Sequence, residues 1–250
     1  MQEFETKGKM LSREAMGIVA ALAMLLHHIA DIFMPEMDAL LSTVFSNLGC
    51  FAVLLLCYLT AEAYWESESK GRFAGRLALF AIIAGVPYYL AFAPAGMIYI
   101  EQNFLFSLLI CVGILVAREK IPGQGSRLIA IAVLIAISYL TDWPLLGPVF
   151  VLVLSWMRDS RKKQIAAFVV AALLAGGQSY SQDKWLNLPF ETMLQNIAGA
   201  VIAVLLAAVL LLVFYRGRQA GKNGRFSKWF ILIFYPAHLL ILWLLRILMT

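Results

Sequence analysis

The sequence predicts an all-α, polytopic membrane protein: one bundle of about nine transmembrane helices, with the N-terminus inside and the C-terminus outside. Two observations predict this class. Nine apolar segments follow one another along the 250 residues, and the positive charges between them alternate from gap to gap. The chain is 62% hydrophobic and 14% charged, whereas soluble domains have about 45–50% apolar and about 25% charged residues. Because lipid offers no partner to open backbone groups, the segments are expected to be helices.

The nine segments have uneven lengths. In order, they are Ala15 to Met34, Leu41 to Ala63, Phe73 to Phe92, Phe104 to Ala117, Leu128 to Leu140, Leu145 to Met157, Ile165 to Ala175, Leu194 to Tyr215 and Trp229 to Leu248. A perpendicular span takes about 20 residues, and the segments ending at Leu140, Met157 and Ala175 are shorter. They extend into their flanks, pack away from lipid or, for one of them, re-enter the membrane; all three readings stay open.

Lysine and arginine mark the predicted inner side. The N-terminal tail, residues 1–13, and every even-numbered gap are basic, whereas the first, third and fifth gaps carry no Lys or Arg and the seventh carries only Lys184. Positive charges near membrane segments stay cytoplasmic. Residues 14–250 are therefore expected to form one multi-pass domain among the lipids of a bacterial inner membrane. The net charge of +5 then reflects topology, and no basic stretch is interleaved with aromatic residues as in nucleic-acid binding.

The cysteines and the first ten residues predict no site of their own. Cys50, Cys57 and Cys111 lie in apolar segments without metal-ligand spacing, so we interpret them as small hydrophobic residues and expect no metal site. The first ten residues are too polar for a signal peptide, so the first segment is expected to be a retained helix.

All three histidines of the chain fall in membrane segments. In the first segment, His27 and His28 lie four and three residues before Asp31, so an imidazole and a carboxylate can share a helix face. His238 lies in the last segment beside Pro236, which removes a backbone donor and can kink a helix. A hydrogen bond to a neighbouring helix is the simplest role for one such histidine. Together with an intramembrane carboxylate, however, the three indicate a functional site.

Further polar residues lie at the predicted helix ends. Asn103 begins the fourth segment and Asp142 follows the fifth, both in apolar surroundings that favour a role in the site. Glu101, Asp183 and Glu191 are interpreted as solvated caps at the outer interface. At the inner end of the second segment, Glu62 either reaches the interface or pairs with Arg72 or Arg76.

The order of these motifs resembles that of the TraX family, the membrane acetylases known from conjugal pilin modification. The matching residues are His27-His28-Ile29, Ala61-Glu62-Ala63-Tyr64 followed by Lys70, Arg72 and Arg76, Asn103-Phe104-Leu105-Phe106-Ser107, Asp142, and Tyr235-Pro236-Ala237-His238-Leu239-Leu240. The resemblance covers about Leu11 to Leu245. Two positions depart from the family pattern: His27 stands where the family has Asp, and Ala63 where it has Gly. A more distant similarity is to the membrane acyltransferase-3 family, which acetylates sugars.

The resemblance implies transfer of an acetyl group from cytosolic acetyl-CoA to an amine or hydroxyl on a peptide such as a pilin N-terminus, a lipid or a sugar. It makes His28 the general base, and Asp31 can substitute for the missing family carboxylate. The expected catalytic residues are thus His28, Asp31 and His238, and the residues expected in substrate binding or oxyanion stabilisation are Asn103, Asp142, Tyr235 and His27. We expect His28 and His238 to converge on one polar cavity, with Asp31 or Asp142 as the carboxylate partner.

The basic inner side is where the phosphates of the donor are expected, because a guanidinium group can bind phosphate through two parallel hydrogen bonds. The candidate donor-binding residues are Arg72, Arg76, Glu62, Arg118 and Arg158. Each arginine also serves as a topology signal. Two other functions stay open: a proton-coupled transporter, which also uses intramembrane His and Asp residues, and a membrane scaffold without chemistry.

Overall fold

The structure is a computed structural model that describes residues 11–33, 37–93, 101–215, 217 and 224–249, so most of the N-terminal tail lies outside the described residues. Within these ranges there are nine α-helices: α1 Arg13–Phe33, α2 Ala39–Glu66, α3 Lys70–Phe92, α4 Phe104–Lys120, α5 Gln124–Ile137, α6 Leu146–Trp156, α7 Arg161–Trp185, α8 Phe190–Val209 and α9 Gly224–Met249. A 3₁₀ turn, Ser138–Leu140, extends α5, and a π turn, Leu210–Phe214, extends α8. The described part has no strand, only two isolated bridges.

Each predicted segment corresponds to one helix, so the all-α class is confirmed. The expectation of nine spans is met only in part, because six helices of the described chain are long and apolar enough to cross a membrane. They are Arg13–Phe33, Leu40–Glu66, Lys70–Phe92, Lys162–Trp185, Phe190–Phe214 and Trp229–Met249. The predicted seventh segment was too short: α7 has 25 residues, since polar residues on both sides of Ile165 to Ala175 continue the helix.

The contacts divide the chain into two compact units. Unit 1 comprises Met1–Leu55 and Asp159–Ile231, and unit 2 comprises Leu56–Arg158 and Leu232–Thr250. The divisions fall inside α2 and α9, so each of these helices contributes residues to both units. His27, His28 and Asp31 belong to unit 1, whereas Asn103, Asp142, Tyr235 and His238 belong to unit 2.

Unit 2 contains the three short helices. Helix α6 has 11 residues, about 16 Å at 1.5 Å per residue, roughly half of a hydrocarbon core. At one end of α4, Gln102 exchanges backbone hydrogen bonds with Leu140 and Asp142, which follow α5. At the other end, the Arg118 guanidinium donates to the Ser155 hydroxyl near the end of α6. Helices α4, α5 and α6 therefore run between the same two ends of unit 2.

Unit 1 is built around the hairpin of α7 and α8. Gly176 of α7 lets the helices approach, because a side chain there would meet Val201 and Ile197 at 3.4–3.5 Å. The N-terminal end of the described chain also joins this unit: the Leu11 N–H donates to the Phe214 carbonyl at 3.1 Å. Large apolar side chains remain exposed on the outer faces, for example Leu173 at 72%, which suits helices surrounded by lipid.

Candidate active site

In unit 1 the structure distinguishes between the two histidines as partners of Asp31. The Nε2 atom of His27 lies 3.1 Å from Oδ2 of Asp31, one turn further along α1. His28 is 1% exposed and His27 8%, while a third of the Asp31 side chain is accessible. The two imidazole centroids are 5.5 Å apart. The predicted imidazole–carboxylate pair therefore exists, and it joins Asp31 to His27, with the buried His28 ring adjacent.

The first half of α2 places a polar side against this pair, and the sequence analysis missed it. His27 contacts the backbone of Ser46, whose Oγ atom is buried without a hydrogen-bond partner among the described residues. The next residue, Asn47, donates from Nδ2 to the Thr43 carbonyl at 2.8 Å. The signal that could have found this side is the one-turn spacing of Ser42 and Ser46 inside an otherwise apolar helix.

In unit 2, Asn103 is fully buried at the start of α4 and both ends of its side chain are used. Its Oδ1 accepts from the Leu105 N–H at 3.1 Å as a helix N-cap, and its Nδ2 donates to the Ala81 carbonyl of α3 at 2.8 Å. An oxyanion donor has to be available when charge develops. Asn103 would have to give up the bond to Ala81 to act in that way, so its geometry is that of a cap.

The hydroxyl group of Tyr235 is hydrogen-bonded differently from the amide of Asn103. Its hydroxyl oxygen accepts from the Phe104 N–H at 3.1 Å, which leaves the hydroxyl proton for another acceptor. The side chain is 2% exposed and lies beside His238, with ring centroids 5.3 Å apart in an edge-on arrangement. Tyr235 therefore connects α9 to the start of α4 and lies against the ring of His238.

The geometry of His238 refines its predicted role. Its Nδ1 atom lies 2.9 Å from the Phe234 carbonyl, one turn back on α9. Because a carbonyl only accepts, Nδ1 carries the proton, and in the neutral ring Nε2 is the acceptor. His238 can thus take a proton or a hydrogen bond, whereas donation from Nε2 would require the charged imidazolium.

Asp142 is held in unit 2 by hydrogen bonds of its backbone. Its N–H donates to the Gln102 carbonyl at 2.7 Å, and its own carbonyl accepts from the Ser107 hydroxyl. Ser107 also lies 2.9 Å from Oγ1 of Thr141, which in turn donates to the Ser138 carbonyl. Ser107, Thr141 and Ser138 are buried and were not predicted; together they hold the segment after α5 against α4.

The predicted donor-binding arginines lie in unit 2, and two of them pack on tryptophan. The Arg158 guanidinium lies 4.6 Å from the centroid of Trp65, and that of Arg118 lies 5.5 Å from the centroid of Trp156. Arg72 is exposed, whereas Arg76 and Glu62 are half-buried. Such stacking restrains each guanidinium group beside an aromatic face.

Glu119 forms a clasp at the same end of unit 2. Its Oε2 accepts from Lys70 Nζ at 2.5 Å and from the Tyr64 hydroxyl at 2.9 Å. Burial disfavours the carboxylate, but the hydrogen bonds from Lys70 and Tyr64 and the charges of Lys70 and Lys120 outweigh it, so the pKa of Glu119 is lowered. The clasp joins the end of α2, the start of α3 and the end of α4. Among the described residues no group of three His, Cys, Asp or Glu side chains could hold a metal ion.

These features define a class of protein before any family: a multi-pass, all-α membrane protein with buried histidines. The TraX protein family matches residues 12–246, and the chain belongs to this family. It is also 26% identical to the probable fimbrial assembly protein FimC, serogroup H1, of Dichelobacter nodosus, over 90% of this chain and 91% of that protein. No solved structure matches the chain.

Proposed function

We propose that this protein is a membrane acetyltransferase that moves an acetyl group from acetyl-CoA to an amine or hydroxyl acceptor. The observation that carries the proposal is the pair of the buried His27 with the partly accessible Asp31 beside the buried His28, in a chain of the TraX family. The resemblance to pilin acetylases and the relative named as a fimbrial assembly protein support a peptide acceptor such as a pilin subunit.

His28 is the proposed general base. It takes the proton of the acceptor as nitrogen or oxygen attacks the thioester carbonyl. The new C–N or C–O bond forms, the C–S bond breaks, and the CoA thiolate leaves to be protonated. A carboxylate near an imidazole favours the charged ring, so the His27–Asp31 pair stabilises the imidazolium that forms on His28. Direct transfer, without an acyl-enzyme, is the simplest course.

Within unit 2, Tyr235 is the proposed substrate-binding or oxyanion-stabilising donor. The Phe104 N–H polarises the tyrosine hydroxyl, which strengthens the hydroxyl as a donor because linked hydrogen bonds polarise one another. His238 and Asp142 are the further substrate-binding candidates in this unit. Asn103 supports them as the cap that fixes the start of α4.

The donor phosphates are proposed to bind at the end of unit 2 that carries Arg118 and Arg158. The ends of α4 and α6 meet there, because Arg118 donates to Ser155. Lys70, at the start of α3, also contacts Glu119 of α4 at this end. Arg72 and Arg76 follow closely in sequence after Lys70. This grouping supports the finer topology we propose, with these ends and the N-terminus in the cytoplasm and the C-terminus outside a bacterial inner membrane. Reporter fusions after Lys120 and Lys163 should then report cytoplasm.

The decisive experiment measures the response of the purified full chain to acetyl-CoA. Thermal unfolding in detergent should shift upward with acetyl-CoA and not with an equal concentration of acetate. Arg76→Gln should raise the donor concentration needed without changing the apparent affinity for the acceptor. A chain that shows no thermal response to acetyl-CoA and transfers no labelled acetyl group would overturn the proposal, and a proton-coupled transporter would then be the leading alternative.

A further inference from the structure

Asp183 is a buried carboxylate that the proposed chemistry does not use. It lies in the last turn of α7, in the hairpin between α7 and α8, and is 6% exposed. The sequence suggested a solvated cap at this position, but the side chain is enclosed by protein. A carboxylate removed from water needs compensation from hydrogen bonds and from a positive charge.

The compensation that the described residues provide is small. The Nδ2 atom of Asn196, on α8, lies 3.3 Å from Oδ1 and 3.2 Å from Oδ2 of Asp183. The adjacent Lys184 directs its Nζ to the ring of Tyr180, 5.8 Å from the centroid. Within the described part of the chain, one neutral amide is thus the partner of the Asp183 carboxylate.

The position of Asp183 near the C-terminal end of α7 also provides no positive charge to compensate the carboxylate. The C-terminal end of an α-helix carries the negative end of the helix dipole, which disfavours an anion there. Helix α7 ends at Trp185, two residues after Asp183; the Leu188 N–H donates to the Asp183 carbonyl at 3.0 Å, and Asn187 has φ 52°. A cation bound at Asp183 would therefore lie close to both the carboxylate and the negative end of the helix dipole.

The surroundings of Asp183 suit an ammonium group better than a metal ion. A calcium ion takes six to eight oxygen ligands and a magnesium ion about six, whereas one carboxylate and one amide face each other here. An ammonium group has three donors. Both carboxylate oxygens of Asp183 and the free acceptor Oδ1 of Asn196 can receive them, because Asn196 uses only Nδ2 toward Asp183.

The exposed residues next to this pair in sequence are polar and aromatic in turn. Ser181, Gln182 and Asn187 are exposed, and so are Trp185 at 85% and Phe190 at 76%. Aromatic faces attract cations and cover apolar groups. An apolar group attached to a cation at Asp183 can therefore pack on these aromatic side chains.

We propose that Asp183 and Asn196 form a binding site for an alkylammonium group on an apolar molecule. Where the proposed acetyl transfer holds, on which this last step rests, that group is the acceptor amine before it reacts. The bound ammonium first releases one proton to water, and His28 then takes the second as the neutral nitrogen attacks the thioester carbonyl; the amide keeps the third. The Asp183–Asn196 pair is then a specificity-determining site that selects an amine over a hydroxyl acceptor.

The test uses the purified full chain in detergent at neutral pH, with n-butylamine as the probe and 1-butanol as its neutral match. Butylammonium should stabilise the chain against heat and butanol should not. Asp183→Asn should weaken butylamine binding at least tenfold, while Glu191→Gln, an exposed acid in the same hairpin, should leave it unchanged. Asn196→Asp adds a second carboxylate and should strengthen binding, so the site remains testable if Asp183→Asn fails to fold.

Equal butylamine affinity in the wild type and Asp183→Asn would overturn the inference, as would equal stabilisation by butanol. The two proposals fail separately. A chain that responds to acetyl-CoA but binds no amine through Asp183 loses this site and keeps acetyl transfer. A chain that binds butylamine through Asp183 but has no response to acetyl-CoA keeps the site and loses acetyl transfer.

Discussion

The buried polar residues of unit 1 and those of unit 2 are satisfied in different ways. In unit 2, Asn103, Ser107 and Thr141 bond to backbone atoms or to each other at about 3 Å, which fixes chain segments that have no regular helix partner. In unit 1, the pair of His27 and Asp31 joins two titratable groups on one helix. Polar side chains that are fully hydrogen-bonded to the backbone hold one structure in place. Paired titratable groups can instead move protons.

This difference separates the residues expected to act in the reaction from those expected to hold the fold. It assigns proton transfer to unit 1 and places Asn103 with the structural residues of unit 2. Tyr235 and His238 differ from their neighbours in unit 2 in chemistry, because a phenol and an imidazole can exchange protons and each also contacts the backbone.

The largest expected effect is that of His28→Ala. Loss of a general base costs typically about 10²–10⁴-fold in rate, so acetyl transfer should fall by that factor while the thermal response to acetyl-CoA persists. Asp31→Asn should cost about tenfold, equal to one pKa unit of stabilisation of the imidazolium. Initial rates with labelled acetyl-CoA measure both. If His27→Ala and Asp31→Asn lose as much as His28→Ala, the paired His27 is the base instead.

Tyr235→Phe should have the next largest effect on rate. Removal of one oxyanion donor typically costs about 10²–10³-fold in kcat, and the variant also leaves the Phe104 N–H without its acceptor. Ser107→Ala is the matched structural control: it should lower the free energy of unfolding by about 1–3 kcal/mol and leave kcat unchanged. If Tyr235→Phe lowers stability alone, Tyr235 belongs with the structural network of unit 2.

The sequence could predict the helices because a membrane segment is defined by its own apolar length. It could not decide the number of spans, since α6 is short and its start is set by the backbone at Leu145, with φ 62°, and by the bond from the Leu145 N–H to Ser138. Such contacts between distant residues leave no periodic pattern in the sequence.

In the candidate site, too, local spacing predicts some contacts and helix packing decides the others. His27 and Asp31 could be paired from spacing alone, because i and i+4 share a helix face. The polar side of α2 and the bond between Asp183 and Asn196 depend on which helices pack together. No local pattern distinguishes a buried Asp183 from a solvated one, so that interpretation was wrong.

Gly199→Ala tests whether α8 holds the polar side of α2 beside His27. A Cβ atom at position 199 would lie 2.5 Å from Nδ2 of Asn47, so Asn47 has to move from the Thr43 carbonyl. Overpacking of this kind costs about 1–3 kcal/mol. Gly177→Ala, on α7 with no atom within 4 Å, should instead gain up to about 1 kcal/mol of helix propensity. Equal and positive shifts in the melting temperature of both variants would show that Asn47 is not held in place.

The smallest effect is expected at the Glu119 clasp, and it depends on pH. The folded-state pKa of Glu119 lies below its ordinary value of 4.5, so the clasp stabilises the fold above that value and the stabilisation is lost as the pH falls through the lowered pKa. Because Glu119 is exposed, screening limits the gain to that of a surface pair. Glu119→Gln should therefore melt slightly below the wild type at pH 7, and the difference should vanish only below the lowered pKa of Glu119, where the wild-type carboxyl is also neutral. Glu68→Gln, an exposed acid on the same connection, should show no such pH dependence. A difference between Glu119→Gln and the wild type that stays constant from pH 7 to the acid limit would mean that packing, and not charge, holds the ends of α2, α3 and α4 together.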